Sequence, residues 1–302
     1  FFSHLLTMSP WLAMLLLVDL CAAVEERNPH HNTVEHHSLI GPFISEWWQG
    51  GVPHWDFGAS AVITDKYVRV APDKQSRTGW LWNDQANHLT QWEALLSFRI
   101  HSRRNPGADG LALWYVETPS KYDPNNKGSQ PNLWGNNVDF KGLGIIFDTY
   151  DNDGQRDNPV VSVIYGAGDP NQKWDIENDL NAQAKMRCVY EFRNTPKHSQ
   201  VKARIVYADK TLRIFLSTAE DEKETYCGQV ENLEMPTGYY FGITASTGHL
   251  ADNHDVYGFV VTAAPEAIKQ EDQKIYGDVA PHRVANPDAP QQTGGPHVGR
   301  LL

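Results

Sequence analysis

From about residue 43 to residue 263, short apolar runs rich in Val, Ile, Leu and aromatic residues alternate with stretches rich in Gly, Pro, Asn and Asp. Few folds accept that rhythm. β-Branched and aromatic side chains suit a pleated, half-buried surface, and the residues between them supply turns. The pattern predicts strands over 60–70, 91–101, 110–117, 142–149, 159–165, 187–193, 200–207, 211–217, 224–230, 239–246 and 255–263. Residues 201–207 and 211–215, joined by Ala208-Asp209-Lys210, read as a hairpin with one buried face. Helical periodicity is weak and no internal repeat is found. The expected class is all-β, an antiparallel sandwich or barrel, and such folds often fill roughly 200–250 residues as one domain.

The two ends of the chain differ from this middle. Trp11-Leu12-Ala13-Met14-Leu15-Leu16-Leu17-Val18, followed by Leu20-Cys21-Ala22-Ala23, is too short to span a bilayer and fits a secretory signal over 1–23. A buried core segment is the alternative. Residues 24–42 are polar and His-rich and read as a mobile leader, with metal binding by His30-His31 and His36-His37 as the alternative. The folded domain is expected over 43–264, and 265–302 as a Pro/Gly-rich linker or disordered tail that could begin with a short helix. No apolar run after residue 24 is long enough for a transmembrane helix. If Cys21 leaves with the signal, Cys188 and Cys227 remain, and in an oxidising lumen they read as one disulfide or, alternatively, two free buried thiols. With 26 Lys and Arg against 37 Asp and Glu, the net charge of −11 argues against a nucleic-acid partner and suits cation binding or a solvated acidic surface.

Four segments carry candidate chemistry. The densest is Phe147-Asp148-Thr149-Tyr150-Asp151-Asn152-Asp153-Gly154, directly after an apolar strand. Its carboxylates would repel one another in a buried turn unless a cation or hydrogen-bond donors compensate, and hard oxygen ligands favour calcium. A solvated acidic turn is the plain alternative. An EF-hand fails: with Gly154 at the sixth loop position, Thr149 and Val160 would stand where ligating acids belong. Asp175-Ile176-Glu177-Asn178-Asp179 could close the same ion site from another loop. Gly107-Ala108-Asp109-Gly110 places one Asp between glycines at a strand start, which permits close backbone approach or simply a tight turn. Thr247-Gly248-His249-Leu250-Ala251-Asp252-Asn253-His254-Asp255 is a polar loop whose histidine spacing matches no standard zinc signature.

Together these segments, with Leu111-Ala112-Leu113-Trp114-Tyr115, Gly142-Leu143-Gly144-Ile145-Ile146 and Tyr239-Tyr240-Phe241-Gly242, resemble the L-type, legume-like cargo lectins of the early secretory pathway from about His37 to Val261. The resemblance implies a concanavalin-like antiparallel jelly-roll β-sandwich that binds the high-mannose N-glycans of cargo glycoproteins with calcium as cofactor. It implies that Asp148, the Tyr150 carbonyl, Asn152 and Asp179 ligate calcium, and that Asp151 and Asp153 help hold a second ion. Asp109 and Asn152 would hydrogen-bond mannose hydroxyls, and the backbone of Gly248, His249 and Leu250 would close the pocket. A carboxylate paired with an amide can read a vicinal diol directionally, since hydroxyls both donate and accept. Cys188 and Cys227 match the family disulfide, and the Ala108–Asp109 peptide is expected to be cis. Family members carry a membrane anchor beyond the lectin domain, work in the ER, the ER–Golgi intermediate compartment or the Golgi, and can form oligomers.

Two positions depart from the family pattern. Ile176 stands where a sugar-contacting His is usual, and His249 stands where other members have Gly or Asp. The first removes a polar contact and the second leaves the preferred mannose arm open. A lectin-like protein without sugar binding, acting through protein contacts, is therefore one alternative. A jelly-roll glycoside hydrolase is another, but it needs two carboxyls about 5–5.5 Å apart on one strand face. No Glu-x-Asp-x-Glu pattern supplies them, so no catalytic residue is expected.

Overall fold

The structure, a computed structural model, describes residues 33–44, 52–123, 133–219 and 223–264. The expected signal over 1–23 and tail over 265–302 lie outside the described residues. Strands run in chain order as β1 (Leu39–Ile40), β2 (Trp55–Ala59), β3 (Val62–Ile63), β4 (Val68–Ala71), β5 (Thr78–Asn83), β6 (Trp92–His101), β7 (Gly110–Val116) and β8 (Lys141–Asp148). They continue as β9 (Val160–Ala167), β10 (Met186–Val189), β11 (Val201–Ala208), β12 (Thr211–Thr218), β13 (Thr225–Val230), β14 (Tyr240–Ser246) and β15 (Asn253–Ala263). One sheet has the order β13-β12-β11-β6-β15-β4-β3, with β1 also on β15, and the other is β10-β9-β8-β7-β14-β5-β2. Neighbouring strands pair antiparallel.

Alternation explains the larger sheet. Along β6, Trp92, Ala94, Leu96, Phe98 and Ile100 turn inward and the residues between them turn out. Burying each large apolar side chain contributes about 1.5–3 kcal/mol. Rings from the two sheets meet in the middle, Trp92 with Phe241 at 5.1 Å and Phe98 with Phe147 at 4.7 Å between centroids. The smaller sheet is different, because β7 and β8 are buried on both faces. A second apolar cluster with Trp80, Trp82, Trp114, Trp134, Phe140 and Ile164 covers its outer face. Strands covered on both sides read as continuous apolar runs, as Gly142-Leu143-Gly144-Ile145-Ile146-Phe147 does.

Three boundaries differ from the sequence expectation. The predicted strand over 60–70 is split into β3 and β4 by a turn in which Thr64 and Tyr67 pair through backbone and the Thr64 hydroxyl. β2 and β5 have no predicted counterpart. The sandwich also begins by Val34, inside the expected leader: Val34 N–H donates to Val261 at 2.7 Å, and β1 pairs with β15. His37 Nδ1 lies 2.9 Å from Asn83 Oδ1, and the Trp55 indole donates to the Ser38 carbonyl. The polar character of this segment reflects hydrogen-bonded docking.

Cys188 and Cys227 form the expected disulfide, joining β10 at the edge of one sheet to β13 at the edge of the other. In the chain-entropy picture, closing a loop with a sequence separation of 39 stabilises by about 4 kcal/mol.

Candidate functional site

At one end of the smaller sheet the register sets Gly110 of β7 opposite both Asp148 of β8 and Ser246 of β14. The ladder runs one residue further: Asp109 N–H donates to the Ser246 carbonyl at 3.1 Å, and Thr149 N–H donates to the Asp109 carbonyl at 3.1 Å. Asp109 and Asp148, far apart in sequence, are thereby held on adjacent strand ends. The Ala108–Asp109 peptide is cis, as expected. Gly110, at φ +144°, sits so close to β8 that a Cβ there would lie 2.2 Å from the Phe147 carbonyl oxygen. The Trp134 indole donates to the Asp109 carbonyl at 3.3 Å from above.

A cavity of about 170 Å³ opens at this point, lined by Asp109, Trp134, Asp148, Asn152, Ile176 and Ser246. Burial raises the Asp109 carboxyl to about 6, although the Gly248 N–H and the Ser246 side chain hydrogen-bond to it. Burial also raises Asp148 well above the usual carboxylate range, opposed by a 3.0 Å hydrogen bond from the Tyr150 N–H and reinforced by repulsion from Asp179. Asp179 is raised to about 6 by burial, while the N–H groups of Asn152 and Asp153 act against the rise. Three carboxyls, two of them buried and Asp109 half-buried, that resist ionisation together are what a bound cation would relieve.

The oxygen donors fit such an ion. The side-chain amide of Asn152 lies 3.0 Å from Asp179 Oδ1 and 3.3 Å from the Tyr150 carbonyl, and with its NH2 turned toward them it donates to both. A bound hard cation would instead turn the amide oxygen inward, beside the Tyr150 carbonyl and the Asp179 carboxylate. Asn158 donates to the Tyr150 carbonyl at 2.9 Å and fixes that oxygen from behind. The Asp179 end is set by a short 3-10 turn over Ile176–Asn178, after which Asp179 adopts φ 50°, ψ 34°.

Beside this group, carboxylate oxygens of Asp151, Asp153 and Asp179 lie within 4.8 Å of one another and could hold a metal. The first two also cap their own turn, accepting N–H groups from Gly154, Gln155 and Arg156. Of the closing loop, Gly248 comes against Asp109, where an added Cβ would lie 3.2 Å from Oδ1. His249 and Leu250 do not line the cavity. The His249 carbonyl accepts from Gln75 at 2.7 Å, and the His249 side chain is exposed. Ile176 forms an apolar wall, as its identity requires. Trp134 and Ser246 line the cavity without having been singled out from sequence. Ser246 stands one residue before the loop at 247–255 that drew attention, and Trp134 carried no local signal.

Just behind Asp109, Arg193 forms a buried bidentate pair with Asp252, at 2.9 Å for both contacts, and donates to the Arg104 carbonyl at 2.7 Å. Gly107 rests on this pair: a Cβ there would lie 2.2 Å from Asp252 Oδ2 and 2.3 Å from Arg193 Nη2. The loop that ends in Asp109 is therefore seated on a fixed ion pair.

A model of the legume-like lectin family matches residues 30–271. Protein ERGIC-53 of Mus musculus is 35% identical over 252 residues, covering 82% of this chain and 46% of that protein. Vesicular integral-membrane protein VIP36 of Canis lupus familiaris is 32% identical over 252 residues, covering 82% of this chain and 67% of that protein. The chain spans about half the length of the ERGIC-53 relatives it matches. Among solved structures, the exoplasmic/lumenal domain of VIP36 bound to Ca2+ and mannose aligns with a TM-score of 0.68 at 31% identity, covering 77% of this chain and 91% of that one. The Emp47p carbohydrate recognition domain, at 17% identity and a TM-score of 0.61, shares the fold.

Proposed function

We infer the activity from one premise: the chain belongs to the legume-like lectin family. We propose that it is a calcium-dependent lectin for high-mannose N-glycans and serves as a cargo receptor in the lumen of the early secretory pathway, with residues 1–23 as its signal. The observation that carries the reading is the convergence of the Asp148 and Asp179 carboxyls, the Tyr150 carbonyl and the Asn152 amide beside a cavity walled by Asp109. Asp148, the Tyr150 carbonyl, Asn152 and Asp179 would hold the first calcium, and Asp151, Asp153 and Asp179 a second. Bound calcium would supply fixed positive charge that lets the carboxyls ionise.

The remaining work belongs to the chain. Asn152, held through its N–H by both Asp179 oxygens at 3.2 Å, presents its amide toward the cavity. Asp109 would accept from sugar hydroxyls opposite it, with Gly248 set against its carboxylate. Pre-ordering these groups lowers the ordering cost of a weak ligand. Only binding is required. The related VIP36 lumenal domain carries Ca2+ and mannose, which supports the ligand class, and the disulfide supports an oxidising compartment.

Ile176 favours a second reading, in which the fold and ion site persist without sugar affinity. Calorimetric titration of the full chain with high-mannose glycan, in calcium and in chelator, separates the two. Calcium-dependent binding that disappears in Asp109→Ala and Asn152→Ala is the expected result. Stabilisation by calcium with no binding to any glycan would leave the second reading standing.

A further inference from the structure

We propose that the cleft on the other side of the 102–109 loop binds a tetrahedral oxyanion, namely a phosphate or sulfate monoester. The cleft has a volume of about 630 Å³ and draws Arg99, His101, Arg103, Arg104, Lys197 and His198 to one place. In a chain of net charge −11, the cleft's four cations, Arg99, Arg103, Arg104 and Lys197, are opposed by a single lining carboxylate, Asp73. Asp73 is itself engaged, since Oδ2 accepts from the Ser102 hydroxyl at 2.7 Å and Arg104 Nη1 lies 3.9 Å from Oδ1. Clefts lined by one sign of charge focus the field and concentrate counter-ions.

Arg99 gives the cleft its specificity. Its register partner across the sheet is Asp255, but that carboxylate is committed to Arg69 at 2.7 and 2.8 Å and to His101 at 3.0 Å. What faces Arg99 is His198, whose Nδ1 lies 2.8 Å from Nη2, and the Tyr257 hydroxyl. Arg99 Nε is buried with no hydrogen-bond partner. A guanidinium with an enclosed, unused donor and no carboxylate of its own is prepared for an outside acceptor. The planar fork of Arg matches the oxygens of a phosphate or sulfate, and Arg103 and Arg104 stand exposed at the rim to complete the shell.

The same loop carries Arg104 at this cleft and Asp109 at the sugar cavity, and five residues of chain span at most about 18 Å. An oxyanion borne by a glycan could therefore engage both. The oxyanion site itself does not depend on the lectin reading; only this extension rests on it.

The test is calorimetric titration of the full chain with sodium sulfate in chelator. Saturable binding is expected, weakening with added chloride and falling about tenfold or more in Arg103→Gln/Arg104→Gln, whose exposed side chains leave folding unchanged. Absence of saturable binding at millimolar sulfate, or binding that the double variant retains, overturns the proposal. Asn152→Ala should keep sulfate binding while losing mannose, so failure of one reading does not mimic failure of the other. In calcium, a mannose phosphomonoester that outcompetes mannose, with the advantage lost in the double variant, identifies a sugar-borne ligand. Sulfate binding with no such advantage supports the site and assigns it to an anion carried by something other than mannose.

Discussion

Two groups of buried or half-buried aspartates lie at one end of this molecule and are treated in opposite ways. Asp252 and Asp255, on the strand β15 side, are paired with Arg193, Arg69 and His101. Burial alone would raise the Asp255 carboxyl, yet the hydrogen bonds from Arg69 and His101 outweigh it and hold the group below its ordinary range. Asp109, Asp148 and Asp179, at the end of the smaller sheet, form no ion pair with Lys or Arg among the described residues; Arg187 acts on Asp148 only as the weakest of several influences, and burial raises all three. The first group carries its counter-charge in the chain. The second carries no such counter-charge, which is the ground for proposing an ion site there and a brace at the first.

Breaking a brace should cost most. Asp252→Ala strands the Arg193 guanidinium, which is 9% exposed, and is expected to destabilise the protein by about 3–5 kcal/mol in urea unfolding. Asp148→Asn in chelator should cost nothing comparable. Equal losses from the two substitutions would erase the distinction between the groups.

Acid gives the next largest effect. His254 is fully buried between these strands, and burial lowers it to about 4 from 6.5. The unfolded chain takes up this proton first, so the stabilising contribution is complete above pH 6.5 and is lost as pH falls toward 4, by about 3 kcal/mol in all. His254→Leu should flatten the stability curve across that window.

Calcium sharpens the other half of the comparison. At a hundredfold excess over its dissociation constant, calcium should stabilise the native protein by about 2.7 kcal/mol, read as a rise in Tm that chelator reverses. Asp148→Asn should abolish that rise. The smallest effect belongs to Ile176→His, which restores a polar contact on the cavity wall. About a tenfold gain in mannose affinity, with calcium stabilisation unchanged, is the expected outcome.

Much of this was legible in the chain, for reasons that can be traced. β6 alternates strictly because only one of its faces meets the core, so its extent could be read almost to the residue. The acidic run at 148–153 stood out because few backgrounds tolerate it. β5 escaped notice because Trp80 and Trp82 face an outer cluster assembled by distant loops, while Leu81 faces the core. The docked segment from Val34 escaped because its binding is polar, through His37, Ser38 and Asn83. Trp134 and Arg99 were invisible for a related reason. What matters about each is which groups stand opposite it, and only pairing between strands decides that.

The backbone ladder that carries Asp109 to Ser246 and Thr149 also governs how such a chain can change over time. In a strand, side chains alternate faces, so one residue added inside β7 or β8 would turn over every position on one side of it and put Asp109 or Asp148 out of step with the core. The same residue added within 102–106 would only lengthen a loop. Drift at this end of the protein should therefore proceed by substitution and by loop length, with the strand lengths kept to a fixed parity.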